Sequence, residues 1–113
     1  GLNLIKNDSI KYRITKMYES DFAYLISDYG RVEWVRAENI VFPFFEKNIR
    51  RSLDNFDTAK PNNFEALKKN DEFINILHTN IYMREWGIYF CQFLIDEIDI
   101  LIDMINKELN LIN

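Results

Sequence analysis

The stretch IYFCQFLIDEIDILIDMI, residues 88–105, decides much of the fold because thirteen of its eighteen residues are apolar. Its polar residues recur every three or four positions, which is the spacing of one face of an α-helix. Continued to the end of the chain, this polar stripe consists of Gln92, Asp96, Asp99, Asp103, Asn106 and Asn110. The spacing predicts a long C-terminal helix that Thr79 or Asn80 can cap and that ends near residues 109–112.

Apolar residues fill most of the remaining circumference of this helix. An ordinary surface helix has an apolar stripe about 100° wide, and this one has more. Two explanations stay open: the rest of the chain wraps the helix, or part of it also meets a partner or a second copy. A membrane span is not expected, because each of the four acidic residues in the stretch would cost about 2.5–3.5 kcal/mol near a bilayer centre.

The chain before this helix shows further helical spacing. Four apolar residues recur at steps of four, four and three, which predicts a helix over residues 43–56 with Pro43 in its first turn. They are Phe45, Ile49, Leu53 and Phe56. Residues 57–62 have the composition of a loop. Asn62 or Asn63 can cap the next helix, and Asn70-Asp71 can break or recap it.

The first 42 residues alternate instead. Ile10, Tyr12 and Ile14 alternate with polar residues, and the same period of two returns at residues 22–26. A turn with Gly30 follows, and then a returning segment around Trp34. This pattern predicts a three-stranded antiparallel meander over residues 10–42, to which residues 2–5 offer a fourth strand. The expected fold class is therefore α+β, with a meander of residues 1–42 packed on a helical bundle of residues 43–113 in one compact unit.

The segment YLISDYGRVEWVRAENIV, residues 24–41, resembles the closing hairpin and 3₁₀ turn of SH3-like small barrels. It has a strand, a turn with glycine, an aromatic residue followed by valine, and then Ala-Glu-Asn and two apolar residues. Small phage and bacterial SH3-like proteins often end in this way. The resemblance implies a curled antiparallel sheet. It does not imply a proline-rich ligand, because Arg36 stands where peptide-binding SH3 domains usually have proline.

Charge is unevenly distributed along the 113 residues. The net charge is −4; residues 1–60 carry ten basic and nine acidic residues, and residues 61–113 carry four basic and nine acidic ones. The acidic second half should repel phosphate backbones. The single cysteine, Cys91, cannot form an internal disulfide and is expected to be buried as a small hydrophobic residue. A chain without disulfides suits a reducing compartment, so a cytoplasmic location is predicted.

No recognisable catalytic or metal-binding pattern emerges. His78 is the only histidine, and no Ser, Cys or second His lies at a spacing typical of a catalytic group or a zinc site. Asp96, Asp99 and Asp103 share a helical face and could hold a hard cation, but a solvated face or a docking patch for a basic protein fits them better. The sequence thus predicts a protein that is not an enzyme and has no cofactor.

A second candidate surface is basic and aromatic. Aromatic side chains can stack on bases while cations hold the phosphates, so such a patch favours nucleic-acid binding. Its residues are Tyr29, Arg31, Arg36, Lys47, Arg50 and Arg51. Nearby glutamates offset part of its charge.

These patterns leave three functional hypotheses. The favoured one is a small bacterial or phage inhibitor of the immunity-protein or antitoxin type, which neutralises a basic toxin or enzyme through Asp96, Asp99 and Asp103. The second is a nucleic-acid-binding regulator that uses the basic patch. The third is an assembly component that forms a homodimer or hetero-oligomer through its last helix.

Overall fold

The computed structural model describes residues 1–112 and is mostly helical, with 80% of the chain in helices, a small two-stranded antiparallel sheet and a long C-terminal helix. The helices are α1 (Asp8–Lys16), α2 (Gly30–Arg36), α3 (Phe42–Asn48), α4 (Phe64–Leu67) and α5 (Asp71–Ile112). The strands are β1 (Ile49–Arg51) and β2 (Ala59–Pro61). A 3₁₀ turn covers Leu2–Leu4, and wider π-helical turns cover Met17–Asp21, Tyr24–Tyr29 and Ala37–Val41.

The chain divides into two compact units. The terminal unit consists of Gly1–Gly30 together with the chain from Trp86 onward, and the central unit consists of Arg31–Glu85. The predicted division at residue 42 therefore falls inside the central unit, next to the junction of a π-helical turn and α3.

In the terminal unit, the helical segment from Asp8 packs antiparallel against α5. Asn7 caps α1 by accepting hydrogen bonds from the backbone N–H groups of Ser9 and Ile10, and its amide donates to Glu108 at 3.0 Å. Farther along, the Arg13 guanidinium contacts the Glu97 carboxylate at 2.8 Å. The buried core of this unit is Ile10, Met17 and Leu101, flanked by the half-buried residues Ile5, Ile14, Phe22, Ile98, Met104 and Ile105.

The central unit has its own core. Phe44, Leu67 and Ile76 are buried, and Phe73 stacks on Phe44 with ring centroids 5.8 Å apart. Arg36 donates a hydrogen bond to the Ile76 carbonyl oxygen at 3.3 Å. These contacts hold α2, α3 and α4 against the start of α5.

A short hairpin joins α3 to α4. Arg50 of β1 pairs with Lys60 of β2, and Asn62 closes the hairpin by donating from its side chain to the Lys47 carbonyl at 2.9 Å. Pro61 is tolerated because each strand of a two-stranded sheet has one unpaired edge. Leu53 in the connecting turn is 89% exposed.

The meander predicted for residues 10–42 is wrong, because these residues are helical throughout. Residues 2–5 form no strand either, since Leu2–Leu4 is a 3₁₀ turn. The alternation does not distinguish a strand from a helix here, because Ile10 and Ile14 are also four residues apart. Together with Met17 they form one helical face that packs on the core. Tyr12, between them, is 67% exposed. Residues 24–41, which resemble an SH3-like hairpin, are helical and lie outside the small sheet.

Of the other predicted helix boundaries, some are confirmed and some are wrong. The helix predicted over residues 43–56 is too long, because α3 ends at Asn48 and β1 follows. The cap at Asn63 is confirmed, since its side chain accepts from the Ala66 N–H. Recapping at Asn70 is also confirmed, since its side chain accepts from the Phe73 N–H at 2.9 Å. The long C-terminal helix is confirmed, but it begins at Asp71, so the predicted caps at residues 79 and 80 are wrong.

Gly87 is a place of close approach inside α5. A Cβ added there would lie 2.7 Å from the Tyr29 hydroxyl oxygen and 3.1 Å from its ring carbon Cζ. Tyr29 stacks on Trp86 with ring centroids 5.6 Å apart. Gly30 is different, because a Cβ there would meet nothing within 4 Å. The missing side chain at Gly87 thus makes room for the Tyr29–Trp86 stack.

We predict opposite outcomes for alanine at the two helical glycines. Gly30→Ala should raise the free energy of unfolding by about 0.5–1 kcal/mol, because alanine costs less backbone entropy in a helix. Gly87→Ala should give no such gain, because the new methyl group displaces Tyr29. Urea unfolding followed by circular dichroism measures both. A cycle with Tyr29→Phe should show favourable coupling with Gly87→Ala; additive effects would contradict the steric explanation.

Candidate functional site

The acidic residues predicted to bind a partner lie on one exposed face of α5. Asp96, Asp99 and Asp103 are all exposed, and Asp96 accepts a hydrogen bond from the Gln92 side chain at 3.0 Å. The spacing of three and four residues therefore places the polar stripe on the solvent-exposed side of α5, as predicted. Their role in binding a partner stays a prediction.

The same helix exposes large apolar side chains beside this stripe. Leu94 and Leu101 are buried, whereas Ile95 and Ile102 are each 50% exposed and Ile88 is 71% exposed. Within the terminal unit, the chain thus covers only one side of the apolar circumference of α5. This observation favours the explanation in which part of the helix also meets another chain.

The residues of the predicted basic patch belong to both units, and their role in binding nucleic acid stays a prediction. Tyr29 belongs to the terminal unit, whereas Arg31 and Arg36 belong to the central unit. Arg36 is half-buried, and its Nε atom is buried without a hydrogen-bond partner in the described part of the chain. Arg36 is thus used for packing against α5, by the hydrogen bond from its guanidinium to Ile76.

Arg50 and Arg51 do come together, in an open cleft of about 930 Å³ beside the hairpin of the central unit. The cleft is also lined by exposed aromatic residues, of which Phe56 is 77% and Phe42 44% exposed. Two acidic residues, Glu46 and Asp57, share the same walls. The cleft combines aromatic surface with cations, but its charge is balanced.

A smaller cleft, of about 640 Å³, lies in the terminal unit between α1 and α5. Its cations are already paired: Arg13 with Glu97 at 2.8 Å, and Lys16 with Asp21 at 2.8 Å. The hydrogen bond to the Asp21 carboxylate is the largest reason why the pKa of Lys16 is raised. These pairs make the cleft a poor binding site for a further anion.

The structure also reveals a column of aromatic rings that the sequence analysis missed. Phe93, Phe90, Trp86 and Tyr29 are stacked successively, with centroid separations of 5.9, 5.2 and 5.6 Å. The ammonium of Lys16 lies 5.6 Å from the centroid of Phe93. The signal was the spacing of positions 86, 90 and 93, which places three rings on one helical face.

Two single residues considered for chemistry are both exposed. Cys91 was predicted to be buried, and this is wrong, because it lies on the exposed side of α5. His78 is exposed on the same helix, in the central unit. Within residues 1–112, no three His, Cys, Asp or Glu side chains are grouped so that they could hold a metal ion. No helix in this range is long and apolar enough to cross a membrane.

No protein-family model, curated protein or solved structure matches the chain. Functional inference therefore depends on the surfaces themselves.

We predict that the Lys16–Asp21 pair stabilises the protein in a pH-dependent way. A lysine whose folded-state pKa is raised adds stability below its ordinary value, here 10.5, and this contribution is lost as the pH rises through the folded-state pKa. Asp21→Asn should therefore lower the free energy of unfolding by about 0.5–1 kcal/mol near neutral pH. The difference from wild type should shrink in strongly alkaline solution.

Urea unfolding at neutral and at strongly alkaline pH measures this difference. The control is Asp54→Asn, which changes an exposed carboxylate of the hairpin turn. An Asp21→Asn effect that stays constant across this pH range would contradict the assignment to the Lys16 charge.

Proposed function

We propose that this protein is a non-catalytic binding protein that captures a protein partner through the exposed side of α5. The proposal depends on one observation: the half-exposed Ile95 and Ile102 lie directly beside the three aspartates of the polar stripe on α5, which we call the acidic stripe. Isolated exposed apolar residues are ordinary on a protein surface, but a row of them bordered by charge is typical of an interaction site.

The acidic stripe indicates the chemistry of the partner. Residues 61–113 carry nine acidic and four basic residues, and Asp96, Asp99 and Asp103 are available to solvent. Complementary charge speeds association and selects among partners. A basic toxin or enzyme, whose cleft this helix covers, fits these properties. The protein would then act stoichiometrically, as an immunity protein or antitoxin does.

We predict that the triple reversal Asp96→Lys/Asp99→Lys/Asp103→Lys abolishes capture of the partner. Tagged wild-type protein is incubated with nuclease-treated lysate of the native host, and captured proteins are identified by mass spectrometry. One dominant basic protein should be retained by wild type and lost with the reversed variant, because attraction becomes repulsion.

The matched control reverses three exposed acidic residues elsewhere, Glu19, Glu38 and Asp54. This variant has the same net charge as the first and should retain the partner. Equal loss in both variants would show that only net charge matters. Unchanged capture after reversal of the stripe would contradict its role.

A second candidate function is binding of single-stranded nucleic acid at the hairpin cleft. It is favoured by the position of Arg50 and Arg51 beside the exposed rings of Phe42 and Phe56. Bases can stack on such rings while arginines hold the phosphates. Glu46 and Asp57 in the same cleft limit the affinity.

For this candidate, the expected result is binding of a labelled oligopyrimidine strand that weakens steeply with salt. Arg50→Glu/Arg51→Glu should reduce the slope of log K against log salt by about two, one for each phosphate contact that is lost. The control, Lys6→Glu/Lys107→Glu, changes the same amount of charge at exposed positions outside the cleft. Fluorescence anisotropy measures the slope, and a flat titration at low salt would eliminate this function.

A further inference from the structure

Four exposed apolar residues of α5 recur at intervals of seven. They are Ile88, Ile95, Ile102 and Leu109, which are 71%, 50%, 50% and 52% exposed. A step of seven residues is nearly two helical turns and drifts by only about 20° around the axis. The four side chains therefore form one row along the terminal unit, which we call the heptad face.

The heptad face differs from the side of α5 that forms the core. Leu94 and Leu101 are buried. The residue after each of them, Ile95 or Ile102, lies about 100° farther around the helix and is half exposed. Cys91, three residues after Ile88, is also exposed. In a pair of packed helices, such positions alternate with the heptad residues at the contact, but Ile98 and Ile105, one and two heptads after Cys91, pack against the core of the terminal unit. The surface that the terminal unit leaves uncovered is therefore the heptad face itself.

Acidic side chains border most of this row, and Lys107, near its C-terminal end, is the one basic residue within its span. Residues 85–106 contain five Asp or Glu and no Lys or Arg. Asp96 and Asp103 each follow a residue of the heptad face, and Asp99 lies between them on the exposed side. A second copy of the chain would bring an equally acidic border to the contact. Like charges across an interface are unfavourable, so a basic partner fits better.

We propose that the heptad face binds an amphipathic helix of the partner, one with apolar residues in heptad spacing and Lys or Arg beside them. This inference depends on the proposed function and specifies which structural element of the partner is recognised. The partner's apolar side chains would pack between those of the heptad face, and its cations would pair with Asp96, Asp99 and Asp103. From Ile88 to Leu109 the row is about 32 Å long at 1.5 Å per residue, enough for about three heptads.

The test uses the full chain and three labelled synthetic peptides about three heptads long. The basic peptide has Ile and Leu at the heptad positions and Lys beside them; the acidic peptide has Glu in place of Lys; the third is a scrambled basic peptide. Fluorescence anisotropy near physiological salt measures each affinity. The basic peptide should bind at least ten-fold more tightly than either of the others. Equal binding of the basic and scrambled peptides would overturn the inference, because net charge alone would then account for it.

Two variants locate the contact. Ile95→Lys/Ile102→Lys should weaken binding of the basic peptide at least ten-fold. Its control, Ile26→Lys/Leu53→Lys, adds the same charge at residues that are 77% and 89% exposed, and should weaken binding much less. The reversal Asp96→Lys/Asp99→Lys/Asp103→Lys should exchange the preference, so that the acidic peptide binds more tightly. Circular dichroism confirms that each variant is folded.

Two further measurements separate this inference from the proposed function. If Ile95→Lys/Ile102→Lys still captures the partner that the aspartate reversal loses, the heptad face is not the contact, and the proposed function stands alone. If the aspartate reversal also retains the partner, both fail. Sedimentation of the wild-type protein tests whether a second copy of the chain covers the heptad face instead. A dimer that Ile95→Lys/Ile102→Lys dissociates would overturn the inference.

Discussion

The structure depends on how much of α5 the rest of the chain can cover. Apolar residues occupy most of the circumference of this helix, but a helix packed against one neighbour buries a single stripe. In the terminal unit that stripe includes Leu101, which packs with Ile10 and Met17 of the opposing helical segment. The polar stripe faces water, and the apolar residues between the two stripes remain partly exposed. This constraint gives the fold its core and also leaves the surface that we propose for binding.

Local chemistry sets where the elements begin and end. Asparagine side chains cap three helices, at Asn7, Asn63 and Asn70, by accepting hydrogen bonds from otherwise unpaired backbone N–H groups. Gly87 contributes in another way, because its missing side chain leaves room for Tyr29 against Trp86. The π-helical turns shift the helical faces: the Phe22 N–H, for instance, donates to the Met17 carbonyl, five residues back. Apolar residues after such a turn no longer follow the phase of those before it.

The two candidate surfaces differ in the kind of evidence that supports them. On α5, apolar exposure and acidic charge lie on the part of the helix that belongs to the terminal unit, so a partner would meet a preformed surface. At the hairpin, Arg50 and Arg51 lie beside aromatic rings, but Glu46 and Asp57 balance their charge. The first surface is thus predominantly acidic, whereas the second is mixed. This difference is the reason for preferring a protein partner over a nucleic acid.

The sequence by itself determined the long C-terminal helix and its polar stripe, which contains Asp96, Asp99 and Asp103. It also determined the caps at Asn63 and Asn70. These features depend on spacing and on neighbouring backbone groups, which a single segment contains. Only the tertiary structure decided that residues 10–42 are helical, since Ile10 and Ile14 fit both a strand and a helix until the opposing face of α5 selects one. It also decided the exposure of Cys91, the packing of Arg36 against α5 and the uncovered heptad face. Burial is a property of what packs against a residue, and that neighbour is distant in sequence.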